Sequence, residues 1–313
     1  MKRRLARILA YLLVRSILLS TCSGCLVGVA WSTPFKQPDR KVKAVVLGGS
    51  LSKYYRGNYG QFLEYGCKNL EVVNRAKVGA GGNKLLKRMR SHVLRDRSLM
   101  KAMKGGEKWL IFQGGLNSIY APESTNANLA RLFKLAKDRG FRTMALTLTP
   151  WGDDSDKRFR GWEGLFYVRA TRLVNRFLLG KLSPDEALGR KAKNRPHSWQ
   201  RGELPDISVD VYNSPLRDSR AKRRDKAVLT KSFRRSRYKR RTKQFKKLLR
   251  QASNVPRGYL KRKYRDFDHI HPNSTGHRIL AQIACKKAPS SWGCDCEKIR
   301  RSVFKGRVRD RKP

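Results

Sequence analysis

Acidic residues are scarce in this chain: 23 Asp and Glu stand against 73 Lys and Arg in 313 residues, a formal charge of +50. That imbalance opposes compaction and draws the protein toward anions such as acidic glycans, lipid headgroups or nucleic acid, without choosing among them. Signatures of several binding classes are missing. No glycine loop ends in the Gly-Lys-Ser/Thr of a phosphate-binding loop, and none carries the last glycine of a dinucleotide fingerprint. The basic stretches show no zinc-finger, RRM or basic-zipper pattern, which disfavours sequence-specific nucleic-acid recognition. Internal repeats are absent, and no long apolar run follows Trp31. Beyond the amino-terminal segment only Cys67, Cys285, Cys294 and Cys296 remain. Cys294-Asp295-Cys296 lacks the paired CxxC spacing of zinc ribbons, so one or two disulfides of open pairing are the expectation, with zinc as the minor alternative.

What is present excludes disorder. Val, Ile, Leu, Phe, Tyr and Trp recur in short blocks from position 42 to about 212, which a solvated basic tail would lack. Residues 1–33 form a separate unit: a positive cluster at Met1 to Arg4 precedes a mostly apolar stretch from Leu5 to Trp31, broken by Arg7 and Arg15. Three readings fit it. Ile8 to Trp31 is long enough for a membrane anchor, Leu19-Ser20-Thr21-Cys22 resembles a lipoprotein signal, and the whole resembles a cleaved signal peptide. Each of the three puts the body outside the cytoplasm, in the cell envelope or beyond.

Short β-branched runs at Lys43–Leu47, Glu71–Val73, Trp109–Gln113, Thr143–Leu148 and Ile207–Tyr212 predict five strands. Helical spacing predicts helices over Tyr59–Leu70, Asn83–Met103, Asn126–Arg139 with Gly140 as its C-cap, and Gly164–Leu179. Strands alternating with helices imply an α/β domain with a parallel sheet, spanning residues 42–288. A basic insertion interrupts it over 219–263, with 20 basic residues and Asp225 as its single acid. Tyr238, Phe245, Leu248 and Leu249 there mark the apolar side of an amphipathic helix, suited to the domain surface, a membrane surface or a polyanion. Residues 289–313 form a cysteine-containing basic tail, which the cysteines are expected to pin to the body and whose last residues, Arg307 to Pro313, are expected to be mobile.

In a parallel sheet the loops leaving the carboxyl ends of the strands form the ligand crevice. After the first strand comes Gly48-Gly49-Ser50-Leu51-Ser52; after the second, Asn74-Arg75-Ala76-Lys77-Val78-Gly79-Ala80-Gly81-Gly82; after the third, Gly114-Gly115-Leu116-Asn117-Ser118. Near the far end stands Asp266-Phe267-Asp268-His269-Ile270-His271-Pro272-Asn273, before Thr275-Gly276-His277. Taken in this order, the four blocks resemble the SGNH (GDSL-type) hydrolase superfamily from about Val42 to Ala284. The resemblance implies a three-layer α/β/α fold with a central five-stranded parallel sheet, flavodoxin-like in arrangement. It further implies Ser50 as nucleophile, His271 as base and Asp268 as the acid that orients the imidazole, with Ser50, Gly79 and Asn117 as oxyanion donors and Gly81 as the alternative to Gly79. No cofactor or metal is implied. Two positions depart from the pattern: Gly49 stands where the family has Asp, and Ser118 where an acid often follows the Asn.

The leading expectation is an exported serine esterase acting on an O-acyl ester of a glycan or lipid. Its alternatives are an O-acyltransferase of the same type and a catalytically degenerate polyanion-binding envelope protein, whose working part is the basic insertion. A third class, a metallohydrolase, would use His269, His271 and His277 with Asp266 or Asp268.

Overall fold

The computed structural model describes residues 34–37, 39–153, 159, 161–218, 229–230, 242–255 and 258–302. The segment 1–33 and residues 303–313 therefore lie outside the described residues, with most of the basic insertion. Among the described residues no helix is long and apolar enough to cross a membrane.

Five strands run parallel: β1 (Val42–Gly48), β2 (Leu70–Asn74), β3 (Glu107–Gln113), β4 (Arg142–Leu146) and β5 (Ile207–Val209). Their order across the sheet is β2-β1-β3-β4-β5, so the chain reverses direction of travel between β1 and β3. All seven residues of β1 are buried, as expected of a parallel sheet covered on both faces. Alternation along β1 sends Val45 and Leu47 into one core and Val42, Ala44 and Val46 into the other. The first core is closed by α2 (Gly82–Arg88), α3 (Arg97–Ala102), α4 (Pro122–Lys137) and α5 (Trp162–Leu178), through Leu85, Leu99, Phe133 and Phe177 among others. The second is closed by α1 (Tyr59–Gly66), α8 (Ser274–Cys285) and α9 (Cys296–Arg301), through Phe62, Leu280 and Ile299. This three-layer α/β/α architecture is the one the sequence implies. Two further helices are α6 (Pro184–Leu188) and α7 (Lys243–Ser253).

Element ends differ from the sequence-based expectation for identifiable reasons. The single helix expected over Asn83–Met103 is three pieces, because a π-helical turn over Met89–Leu94 follows α2 and the Asp96 side chain caps α3 by accepting from Leu99 N at 3.0 Å. The first helix stops at Gly66, not Leu70; a Cβ on Gly66 would lie 2.2 Å from Ile299 Cγ1, so the glycine admits α9 against α1. Strand four stops at Leu146, since the Asn175 side chain takes both the N–H and the C=O of Leu148. Strand five ends at Val209; beyond it Val211 and Tyr212 donate their N–H groups to Thr147 Oγ1. Gly140 closes α4 as expected, with φ +76°.

The tail is pinned twice. Cys67 at the end of α1 pairs with Cys294, and Cys285 at the end of α8 pairs with Cys296. This uses all four cysteines beyond residue 33 and overturns the zinc alternative for Cys294 and Cys296. Trp292 is fully buried and meets Trp109 of β3 edge-on at 5.2 Å. Within the basic insertion, α7 buries Phe245, and Leu249 and Ala252 pack on Leu165 and Trp162 of α5. The helix thus lies on the domain; Tyr238 is outside the described residues.

Candidate active site

Ser50 stands two residues beyond β1, beside the point where the chain reverses direction, the usual ligand crevice of such sheets. The turn that presents it demands glycine at Gly48: a Cβ there would lie 2.0 Å from Gln113 O and 2.2 Å from Ser52 Oγ. Beyond Gly48 the backbone coils into a single helical turn, with Ser52 and Lys53 donating to Gly49 O at 3.1 and 3.2 Å. Ser52 fixes the turn from below, bonded to Tyr59 Oη at 2.9 Å and to Gln113 O at 3.1 Å. Ser50 itself is half-buried, its hydroxyl free to meet another group.

That group comes from 221 residues further on. His271 Nε2 lies 2.6 Å from Ser50 Oγ, and His271 Nδ1 is in hydrogen-bond contact with Asp268 Oδ2. The loop holding both is closed on itself: Asp266 N donates to His271 O at 2.7 Å, and Arg265 bridges Pro272. Asn273 then caps α8 by accepting from Gly276 N at 3.0 Å. Asp268 Oδ1 accepts from Ile270 N at 3.0 Å and from His271 N at 2.9 Å, so one carboxylate oxygen shapes the turn and the other holds the ring. Burial opposes ionisation of Asp268, but these hydrogen bonds from His271 and Ile270 outweigh it and hold its carboxyl below the ordinary carboxylate value. An ionised acceptor there keeps the proton of the neutral imidazole on Nδ1 and leaves Nε2 to accept from the serine.

The three expected oxyanion donors surround the same strand ends. Neither the Ser50 N–H nor the Gly79 N–H donates to a protein group among the described residues. Gly79 is exposed, at φ +72°, a conformation that favours glycine. Asn117 is exposed too, and its amide donates only a long 3.4 Å bond to Ala80 O. A Cβ at Gly49 would lie 3.0 Å from that amide nitrogen. A side chain at position 49 would therefore press on the Asn117 amide, which Gly49 leaves open on that side. Gly81 has a packing role instead, since a Cβ there would lie 2.8 Å from Ser118 Cβ. Ser118 joins the two loops by accepting from Gly82 N at 2.9 Å and from Thr125 Oγ1 at 2.8 Å.

The histidines do not gather into a metal site, and among the described residues no group of metal-ligating side chains forms one. His271 turns to Ser50. His269, at φ +62°, sits 3.7 Å from Asp153. His277 is fully buried with neither ring nitrogen bonded, stacked 4.6 Å from Tyr54 and 6.3 Å from Tyr59. Burial, with the nearby charge of His271, lowers its pKa to about 3, so it is a neutral packing group at working pH.

Tyr54 was not marked by the sequence, yet its hydroxyl donates to Asp266 Oδ2 at 2.9 Å and ties the serine turn to the histidine loop. Burial and the Asp266 carboxylate push its pKa up, which keeps that hydroxyl a donor. A tyrosine one helical turn after the serine was the available signal, but its partner lies 212 residues away.

No protein-family model and no curated protein matches this chain. Solved structures similar to it include a GDSL-like lipase from Bacteroides thetaiotaomicron, 14% identical with a TM-score of 0.45, covering 80% of this chain and 89% of that one. An acetyl xylan esterase from Geobacillus stearothermophilus is 13% identical with a TM-score of 0.40, covering 81% and 95%. A psychrotrophic esterase from Pseudoalteromonas is 10% identical with a TM-score of 0.42, covering 78% and 95%.

Proposed function

We propose that the chain is a serine esterase of SGNH type, with Ser50 as nucleophile, His271 as general base and acid, and Asp268 as the group that orients the imidazole. The observation that carries this reading is the continuous contact Ser50 Oγ to His271 Nε2 to Asp268 at the carboxyl end of the central strands. Ser50 Oγ attacks the ester carbonyl while its proton passes to His271 Nε2. The oxyanion collects the N–H groups of Ser50 and Gly79 and the amide of Asn117, each such donor being worth about 3 kcal/mol in comparable sites. His271 returns the proton to the departing alcohol. Water, deprotonated by the same imidazole, then cleaves the acyl-enzyme and releases the acid.

The substrate is an O-acyl ester of a glycan or lipid. Tyr55, Val78, Tyr120 and Phe267 support it: each is an exposed large apolar side chain in one of the four loops that carry the site, as suits a sugar face or acyl chain. The body works outside the cytoplasm, a reading supported by the signal-like pattern of residues 1–33 and by two disulfides in a described core.

The test is release of p-nitrophenol from p-nitrophenyl acetate by the full-length protein beside Ser50→Ala and His271→Ala. Turnover lost in both variants, with far-UV circular dichroism retained, is the expected result. Equal turnover in wild type and variants would overturn the serine mechanism.

A further inference from the structure

A cavity of about 540 Å³ opens beside the serine turn, lined by Lys53, Asn74, Arg75, Lys77 and Arg88 among its walls. Its walls come from the loops that leave β1 and β2, with Asn74 at the end of β2 and Arg88 at the end of α2. Lys53 N donates to Ser50 O at 3.1 Å, Lys77 N to Gly48 O at 3.0 Å, and Asn74 Nδ2 to Ser52 O at 2.7 Å. The cavity is therefore fixed rigidly to the turn that presents the nucleophile. Four cations line it, three of them half-buried, and Arg75 Nη2 is paired with Asp96 Oδ2 at 2.7 Å. Arg75 Nε is buried without a hydrogen-bond partner, and Arg88 Nε is committed to Arg75 O. The crowding has electrostatic consequences. Burial and then the Arg75 charge lower the pKa of Arg88, while burial followed by Arg88, Lys77 and Arg75 lowers that of His92. Like charges held together in a partly desolvated recess are unfavourable by themselves and become favourable when an anion enters.

From this geometry we infer that the cavity is an anion-binding subsite, and that the esters this protein hydrolyses carry a carboxylate or phosphate group seated among Lys53, Arg75, Lys77 and Arg88. This rests on the esterase reading above for its place in a substrate, but the subsite itself is independent of turnover. Guanidinium groups give such an anion paired donors, and the lysines add point charge.

Two arms test it with the full-length protein. The first compares kcat/KM for mono-p-nitrophenyl adipate with p-nitrophenyl hexanoate, and for 4-acetoxybenzoate with phenyl acetate, which puts the carboxylate on the acyl or the alcohol side. One of the two anionic esters is expected to be preferred by about tenfold at low ionic strength, the size of one well-placed charge pair. That preference should shrink in high salt. Lys77→Ala combined with Arg88→Gln should bring the ratio to that of uncharged selectivity, Arg88→Lys should keep most of it, and Lys134→Ala, a half-buried lysine on α4 paired with Asp138, should leave the ratio as in wild type. The second arm is calorimetric titration with inorganic phosphate, expected to weaken several-fold in the double variant and not in Lys134→Ala. Absence of turnover on every ester would sink the esterase reading while leaving the phosphate arm to decide the subsite. Unaltered ratios in the double variant, or unaltered phosphate binding, would overturn the subsite.

Discussion

Asp268→Asn separates orientation of the imidazole from folding of the loop. Oδ1 accepts the N–H groups of Ile270 and His271, and Oδ2 accepts from His271 Nδ1. An asparagine keeps the first pair of bonds through its carbonyl oxygen. Its amide, however, must donate to Nδ1, which forces the imidazole proton onto Nε2 and leaves nothing to take the proton from Ser50. The expected loss in kcat is on the order of 10⁴, the effect of the same exchange in other serine triads, or about 5.5 kcal/mol of barrier. Thermal stability should fall by less than that of Asp268→Ala, which orphans two backbone donors at about 1 kcal/mol each. The assay is p-nitrophenyl acetate turnover together with thermal unfolding of both variants. Turnover within tenfold of wild type in Asp268→Asn would refute the tautomer argument. Similar melting points for the two variants would refute the claim that Oδ1 shapes the turn.

Other consequences follow from residues around this site. His277 is neutral in the fold, with a pKa lowered to about 3, whereas in the unfolded chain it titrates near 6.5. Its contribution to stability is thus whole above about pH 6.5 and drains away as pH falls from about 6.5 toward 3, by roughly 1.4 kcal/mol per unit. Denaturant titrations of His277→Phe across that range should show a flatter acid dependence than wild type; an identical slope would refute the burial argument. Gly48→Ala forces a Cβ to within 2.0 Å of Gln113 O and should cost at least 2 kcal/mol in urea unfolding, about the scale of serious overpacking, along with most of the turnover. Removing the Cys67–Cys294 bridge, which closes 227 residues, should destabilise by roughly 5 kcal/mol on the chain-entropy scale, and removing Cys285–Cys296, which spans 11, by roughly 3 kcal/mol. Cys67→Ser melting above Cys285→Ser would contradict that order.

The strands and the site were readable for different reasons. β1, β3 and β4 announce themselves as short, mostly apolar runs because both faces of the sheet are buried there. Ser50 and Asn117 stand out as candidates because each closely follows a strand, and the Asp268 to His271 segment because it directly precedes α8. What escaped depends on contacts distant in sequence. The Tyr54 hydroxyl to Asp266 bond and the Cys67–Cys294 pairing each join positions more than 200 residues apart, and no local pattern encodes them. The split of the long second helix was partly local, since Asp96 is a good cap, but helical spacing outvoted it. Three histidines within nine positions resembled a ligand set; packing disperses them, with His277 turned into the core between Tyr54 and Tyr59.

The bridge between Cys67 and Cys294 also makes the body a covalent ring. The basic insertion, dense with arginine and lysine and so with trypsin sites, lies inside that ring between its two cysteines. A protease that cuts once in the insertion opens the loop without separating the pieces, so the part bearing Ser50 stays joined to the part bearing His271. Nicked protein should run as one band until it is reduced, and a cut that would divide Ser50 from His271 in an uncrosslinked chain leaves both on the same molecule.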